Sequence, residues 1–274
     1  RSRGLGDVYK RQDIGGYFSF MSDGDSCRLK YFEGEPEVLA EVRQMWDEIF
    51  DDPEEFADYY FTEICKQNKI LLAYKGDVLA GMIHLNPYEM QVEGKKELCY
   101  YIVGVAVKPE YREQGIMHKM MQRVLADMKK DGRAFAFLMP EREEYYESLG
   151  FEKVFHTLEL DIDIAELEDE NVVPDDLSGE EGYYTKNLKD LHEERADILE
   201  HLSGEVNEAL AKKYRIYAHR TPQYLEQMCM EHRCQNGDVV AVYEDGMHMD
   251  DGQVEERLAG MFSYDIYDDT MYVE

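Results

Sequence analysis

Apolar residues recur along the chain at two spacings, and each spacing marks an element. Residues 27–32 alternate and predict a short strand. Val38, Leu39, Val42, Met45, Trp46, Ile49 and Phe50 then fall on one helical face, which Asp51-Asp52-Pro53 ends. A second short helix is predicted over 56–65. Strands follow at 69–75 and 78–85, joined at Gly76-Asp77, a hairpin signal. Residues 98–107 are apolar on both faces and belong mid-sheet. Ile116, Met117, Met120, Met121, Val124, Leu125 and Met128 mark an amphipathic helix, whose methionines read as core. A strand at 134–139, a short helix through Leu149 and a strand over 151–160 complete the unit. Further on, helices are expected at 188–213 and 222–229 and strands at 239–243 and 258–266. Residues 269–274 read as a strand with nothing to close it.

Between Asp161 and Glu181 there are ten acids and no Lys or Arg, with Pro174 and Gly179 inside, which predicts a solvated linker between two domains. Across it, Leu79-Ala80-Gly81-Met82 recurs as Leu258-Ala259-Gly260-Met261, each time in the second strand of a predicted hairpin. With the shared order of helices, strand, turn and strand, the echo points to a duplicated fold. Charge narrows the function classes: 30 bases against 60 acids leave −30 over 274 residues, which disfavours a nucleic-acid partner and suits a cationic one. No window reaches the ~18 uninterrupted apolar residues of a membrane span. The five scattered cysteines, with no export signal, read as reduced thiols in a cytosol. Cys229, His232 and Cys234 have metal-like residue types, but their spacing does not converge four ligands, and no metal is expected.

The segment richest in chemistry is Val105-Ala106-Val107-Lys108-Pro109-Glu110-Tyr111-Arg112-Glu113-Gln114-Gly115-Ile116-Met117. It sets a strand end, a loop and a glycine against the first turn of a helix, whose free N–H groups and positive dipole end bind anions. From Lys108 to Arg133 there are seven bases against four acids, a local excess of three positive charges in an acidic chain. The string resembles the acetyl-CoA loop of the Gcn5-related N-acetyltransferases (GNAT family), Arg/Gln-x-x-Gly-x-Gly/Ala after a Val-x-Val-x-Pro strand. Arg112-x-x-Gly115 matches, while Met117 replaces the final small residue and puts close phosphate approach there in doubt. The resemblance implies an α+β fold: a mixed, mostly antiparallel sheet with a splayed central parallel pair, flanked by helices. It also implies acetyl-CoA as cosubstrate. Val105, Ala106 and Val107 would hold the pantetheine arm, and Arg112, Glu113, Gln114, Gly115, Ile116, Met117 and His118 the pyrophosphate.

A second motif, Tyr145-Tyr146-Glu147-Ser148-Leu149-Gly150-Phe151, matches the Tyr-x-x-x-Gly-Phe that closes the same family's unit. The resemblance implies that Tyr146, which holds the motif's position, protonates the departing thiolate, with Tyr145 as the fallback. A phenol of reference pKa ~10 can donate to a thiolate of comparable basicity in a dry cleft. Acyl transfer to an amine also needs a group to receive the amine proton. His84 and Glu97 lie on strands that border the cleft, though a packed histidine and a solvated glutamate account for them as well. Asp51, Asp52, Glu54 and Glu55 face either the substrate or simply the start of a helix.

Beyond the first domain the chain is similar to the enhanced intracellular survival (Eis) type of acetyltransferase, through the aromatic helical region near Phe50, the bulky Met117 and Arg220-Thr221-Pro222. That likeness implies a degenerate second GNAT-like unit, a further C-terminal domain carrying the proton-accepting carboxylate, and a homo-oligomer. The expected organisation is residues 1–24 as a disordered lead-in, 25–160 as the acetyltransferase domain, 161–181 as linker and 182–274 as a partial second GNAT-like domain of a longer protein. Within the lead-in, residues 1–12 are set aside, because Asp7-Val8-Tyr9-Lys10-Arg11-Gln12 resembles the translation of a transposon end used in sequencing libraries. The expected activity is acetylation of a small or peptidic primary amine by direct attack in a ternary complex, in the cytoplasm and away from membranes. The alternative is a non-catalytic acyl-CoA sensor or scaffold.

Overall fold

A computed structural model describes residues 7–9, 27–154, 160–163, 183–190, 195–244, 257–267 and 270–273. The chain divides into two units, the first holding most residues up to Thr157 and the second running Leu158–Glu274.

In the first unit, β1 (Asp7–Tyr9) and β2 (Arg28–Tyr31) precede helices α1 (Pro36–Ile49) and α2 (Glu54–Tyr59). Pro36 opens α1 at its first turn, where its missing N–H costs nothing, and Val42, Met45 and Trp46 make the buried stripe. A π-helical turn, Tyr60–Ile64, continues directly from α2. Strand β3 (Lys69–Lys75) then turns at Gly76-Asp77 into β4 (Val78–Val92), and β5 (Lys95–Val107) follows. β4 runs seven residues past its expected end at Leu85, because Asn86-Pro87 reads as a break yet is accommodated within the strand. Glu93 and Gly94, both at positive φ (50° and 77°), then make the two-residue turn into β5. Helix α3 (Ile116–Lys130), β6 (Ala136–Leu138), α4 (Glu144–Glu147) and β7 (Phe151–Glu152) complete the unit.

The strands are ordered β2-β3-β4-β5-β6-β1-β7. The pairs β2–β3 and β3–β4 are antiparallel, while β5 and β6 are parallel. This is the mixed α+β sheet anticipated. Helix α3 lays Ile116, Met120, Met121, Val124 and Met128 on one face, against Leu71, Ala80, Tyr100, Ile102 and Leu138. Each such side chain contributes about 1.5–3 kcal/mol by leaving water. The lead-in expected to stay outside the fold supplies β1, whose Val8 sits between Phe137 and Glu152; an extended Asp-Val-Tyr offers the ladder groups that β6 and β7 both lack on their facing edges. Residues 10–12 lie outside the described residues.

The second unit contains β8 (Leu160–Asp163), β9 (Tyr183–Asn187), α5 (Arg195–Lys213), β10 (Ile216–Ala218), α6 (Pro222–Arg233), β11 (Asp238–Glu244), β12 (Arg257–Tyr267) and β13 (Thr270–Val273). Its sheet runs β8-β13-β12-β11-β9. Two expectations are corrected here. Residues 151–160 are not one strand: Phe151–Glu152 belongs to the first sheet, and Leu160–Asp163, placed at the start of the linker, is a strand of the second. Nor is the last strand unclosed, since β13 pairs with β12 on one edge and β8 on the other. Alternating Leu160-Asp161-Ile162-Asp163 carries charge enough to read as linker, but its two apolar residues suffice for an edge strand. The remainder of the expected linker, 164–181, lies outside the described residues.

The repeated tetrapeptide sits in matching geometry in the two units. In the β3–β4 hairpin, Ala73 faces Gly81 and Tyr74 faces Leu79, so Ala80 is an extra, bulged residue. In the β11–β12 hairpin, Val242 faces Gly260 and Tyr243 faces Leu258, so Ala259 is bulged in the same place.

Candidate functional site

The first unit's sheet opens beside β5. The parallel ladder with β6 pairs Tyr100 with Ala136, Tyr101 with Phe137 and Ile102 with Leu138. β5 itself runs on to Val107, so one side of residues 103–107 is left open beyond the last recorded pair. Gly104 lies in that stretch at φ 59°. A Cβ there would stand 2.5 Å from Trp46 Cζ3 and 3.2 Å from His84 Cδ2, so neither backbone nor space admits another residue.

The bulge resets the strand. Tyr100 and Ile102 pack in the α3 core before it, and Val105 and Val107 pack against the same core after it, so the even-numbered pattern becomes odd-numbered across Gly104. The Lys108 N–H donates to the Ala80 carbonyl at 2.9 Å, which fixes which residues face β4. By alternation, Val105 and Val107 turn their own N–H and C=O groups to the open side. The Val107 carbonyl is engaged by Arg112 Nε at 3.1 Å, which ties the following loop to the strand end.

That loop is tight. A single helical turn, Pro109–Tyr111, is followed by Glu113 at φ 61° and Gly115 at φ 71°, and Gln114 Nε2 donates to the Glu110 carbonyl at 3.3 Å. Gly115 is the N-cap of α3, and no side chain caps the helix. The N–H groups of the first turn are therefore available to a ligand. No described residue lies within 4 Å of where a Gly115 Cβ would point, so the positive φ demands glycine while the space above it is open. Arg112, Glu113, Gln114 and Gly115 are exposed, His118 is half-buried with Nε2 2.9 Å from Gln122 Nε2, and Ile116 is buried in the core. Met117 leans on the α3 core, which accounts for a bulky residue at this turn.

Tyr146 sits on the four-residue α4, buried in the same cluster as Ile102, Ile116 and Leu138, with its ring 5.8 Å from Phe151. Burial, reinforced by the charges of Glu141 and Tyr145, pushes its phenol up to about 12, so it is a protonated donor at neutral pH. Tyr145 is 52% exposed with Arg142 over its ring, a surface position.

The candidate bases are placed very differently. Glu97 is half-buried on β5, well before the bulge. Asp52 accepts from Trp46 Nε1 at 3.0 Å, while Asp51, Glu54 and Glu55 are exposed around the start of α2. His84 is fully buried and stacked edge-on against Trp46, 5.3 Å away, and burial holds its imidazole down to about 3. Trp46, Tyr60, Asn86 and Gly104 all adjoin this point, and none was singled out as functional from sequence. A lone glycine inside an apolar strand was the available signal for the last. In the second unit, His232 Nδ1 pairs with Asp265 Oδ1 at 2.7 Å, Cys229 is buried, and no group of three or more potential metal ligands occurs among the described residues. All five cysteines are free thiols, and no described helix is long and apolar enough to cross a membrane.

A central strand that outruns its parallel partner and leads into a helix started by glycine defines an α+β unit whose open strand edge adjoins a free helix N-terminus. Residues 33–154 match the family model described as an acetyltransferase (GNAT) domain. No curated protein matches the sequence. Among solved structures, a conserved protein of Enterococcus faecalis V583 described as a probable N-acyltransferase is 17% identical with TM-score 0.63, aligning 89% of this chain with 56% of its own. A GCN5-related N-acetyltransferase from Kribbella flavida is 18% identical with TM-score 0.56 over 88% and 55% of the two chains. One from Anabaena variabilis ATCC 29413 is 17% identical with TM-score 0.56 over 85% and 58%. The chain thus spans just over half the length of each, and the likeness is one of fold.

Proposed function

We propose that the first unit transfers an acetyl group from acetyl-CoA to a primary amine by direct attack within a ternary complex. The observation that carries this reading is the open backbone of Val105 and Val107 running into the uncapped, glycine-started helix at Gly115. Val105 and Val107 would pair with the amide-bearing pantetheine arm, and the Arg112–His118 turn would hold the pyrophosphate on its N–H groups. The amine nitrogen forms the new C–N bond, and the carbonyl oxygen takes up negative charge that a strand N–H beside the bulge stabilises. The thiolate then leaves with the C–S bond pair, and Tyr146 supplies its proton.

Calorimetric titration with acetyl-CoA tests the reading. The chain should bind, and Gly115→Glu should not, because a carboxylate would stand in the anion cradle; absence of wild-type binding at high micromolar ligand refutes it. Among the described residues at the bulge, His84 is held neutral by burial and cannot take up the amine's proton at neutral pH, and this favours a second reading, an acyl-CoA sensor. Binding without acetylation of any amine would support that reading instead. The matching bulges at Ala80 and Ala259 support a second unit descended from the first, as in the Eis-type arrangement.

A further inference from the structure

His84 lies in β4 within a polar cluster that the acetyl-transfer scheme leaves unused. Tyr60, the first residue of the π-helical turn, donates its hydroxyl proton to Asn86 Oδ1 at 3.0 Å and accepts from Asn68 Nδ2 at 3.1 Å. A phenol has one proton. His84 Nδ1, 3.2 Å from the same oxygen, must therefore donate to it. The neutral imidazole then carries its proton on Nδ1, and Nε2 is a bare lone pair. That nitrogen is fully buried and has no hydrogen-bond partner among the described residues. An acceptor left so is costly, and a packing role alone does not repay it.

Its position is informative. Cδ2, the ring atom next to Nε2, lies 3.2 Å from the point above Gly104 that a Cβ would occupy, and Trp46 Cζ3 lies 2.5 Å from that point. Gly104 stands two residues past Ile102, the last residue of β5 paired with β6. Nε2 thus lies beside Gly104 on the Trp46 side of β5, the strand that borders the sheet opening. The titratable neighbours are the Tyr60 hydroxyl and the Cys65 thiol, whose Sγ is 3.8 Å from Nδ1 and which burial pushes up to about 12; Asp52 is held on the far side of Trp46.

We propose that His84 Nε2 is the hydrogen-bond acceptor for an N–H of the amine attacking at the Gly104 bulge, with Trp46 the wall that gives way to admit it. The proposal rests on the acetyl-transfer reading above. His84 orients the nucleophile and takes no proton: the nitrogen lone pair forms the C–N bond, and the surplus N–H proton leaves to water.

Two substitutions separate the ring's two nitrogens. His84→Asn places an amide N–H near Nδ1, keeping the bond to Tyr60 and deleting the Nε2 acceptor. His84→Gln reaches an amide oxygen to the Nε2 position. With acetyl-CoA and spermidine or a lysine-containing peptide, His84→Asn should lower kcat/KM for the amine about 10²-fold with acetyl-CoA affinity unchanged, and His84→Gln should recover most of it. Tyr60→Phe, which removes the oxygen that fixes the tautomer, should lower it about tenfold. Trp46 is the chain's single tryptophan, so its emission should change when amine joins the acetyl-CoA complex of the wild type and stay constant in His84→Asn. Wild-type transfer rates in His84→Asn, or an unresponsive Trp46 in a turning-over wild type, overturn the role of His84 alone. Acetyl-CoA binding with no acetylation of either amine by the wild type overturns the transfer reading and this inference with it. Should His84→Asn lose its near-ultraviolet circular dichroism, Tyr60→Phe decides the matter, and a wild-type rate there overturns the proposal.

Discussion

Protonating His84 should destabilise the first unit measurably. In the unfolded chain this imidazole takes up a proton near its ordinary value of 6.5, while in the fold burial holds it down to about 3. Between those values the unfolded state binds more protons than the native state, so stability rises with pH through this window and falls as pH drops from about 6.5 toward 3. Each pH unit inside the window is worth about 1.36 kcal/mol, and between about pH 7 and pH 4.5 the native state loses roughly 2.5 kcal/mol through this one group. That is a large share of the roughly 5–15 kcal/mol that holds a domain together. The neighbours do not obscure the effect, because burial pushes the Cys65 thiol up to about 12, far above the window.

Urea unfolding followed by Trp46 emission reads the first unit specifically, since that indole is buried on α1 beside His84. The carboxylates contribute their own acid dependence, so the measurement is the difference between wild type and His84→Gln, which share them. Wild type should lose about 2.5 kcal/mol more than His84→Gln between the two pH values. Parallel losses would show that His84 charges as easily folded as unfolded, and the burial reasoning would be wrong.

Three further outcomes follow from the geometry. Gly104→Ala should cost about 2–4 kcal/mol, because its φ of 59° and the 2.5 Å approach to Trp46 both penalise a methyl; a thermal melt within a degree of wild type refutes the bulge. Tyr146→Phe should keep acetyl-CoA binding, since the ring stays in its core cluster, and lower turnover about 10²–10⁴-fold; normal turnover would reassign the proton donor. Gly81→Ala meets Met120 Cε at 2.9 Å and the Ala106 carbonyl at 3.0 Å and should cost about 1–3 kcal/mol, whereas Gly260→Ala meets nothing within 4 Å and should be neutral or stabilising by up to about 1 kcal/mol. Equal effects of the two would deny the difference in packing.

The glycine-started helix was legible in the sequence because local rules write it. A strand end, a loop and a glycine before a helical stripe predict an uncapped helix start, and Arg112 to Met117 form one. The cluster around His84 was not legible, because it is assembled from distant parts. Trp46 from α1, Tyr60 from a π-helical turn, His84 from β4 and Gly104 from β5 meet only through tertiary packing, and each alone reads as core. Strand limits failed where a local signal conflicts with the sheet. Asn86-Pro87 looks like a stop but is held inside β4, and the acids of Leu160–Asp163 look like linker but sit in an edge strand.

The two bulges in the first unit act together. Ala80 is the extra residue of β4, and its carbonyl receives the Lys108 N–H. That bond fixes the parity of β5 at its far end, and Gly104 is the single residue that lets the core-facing pattern change to meet it. Remove either irregularity and Val105 and Val107 would turn their N–H groups toward β4 rather than to the opening. In the second unit the first irregularity is repeated at Ala259, beside the same Leu, Gly and Met. What differs is the partner: α3 and β5 press on Gly81, while no described residue lies within 4 Å of the Gly260 Cβ position. A sequence echo therefore preserves the hairpin without the packing on its glycine, which α3 and β5 supply in the first unit.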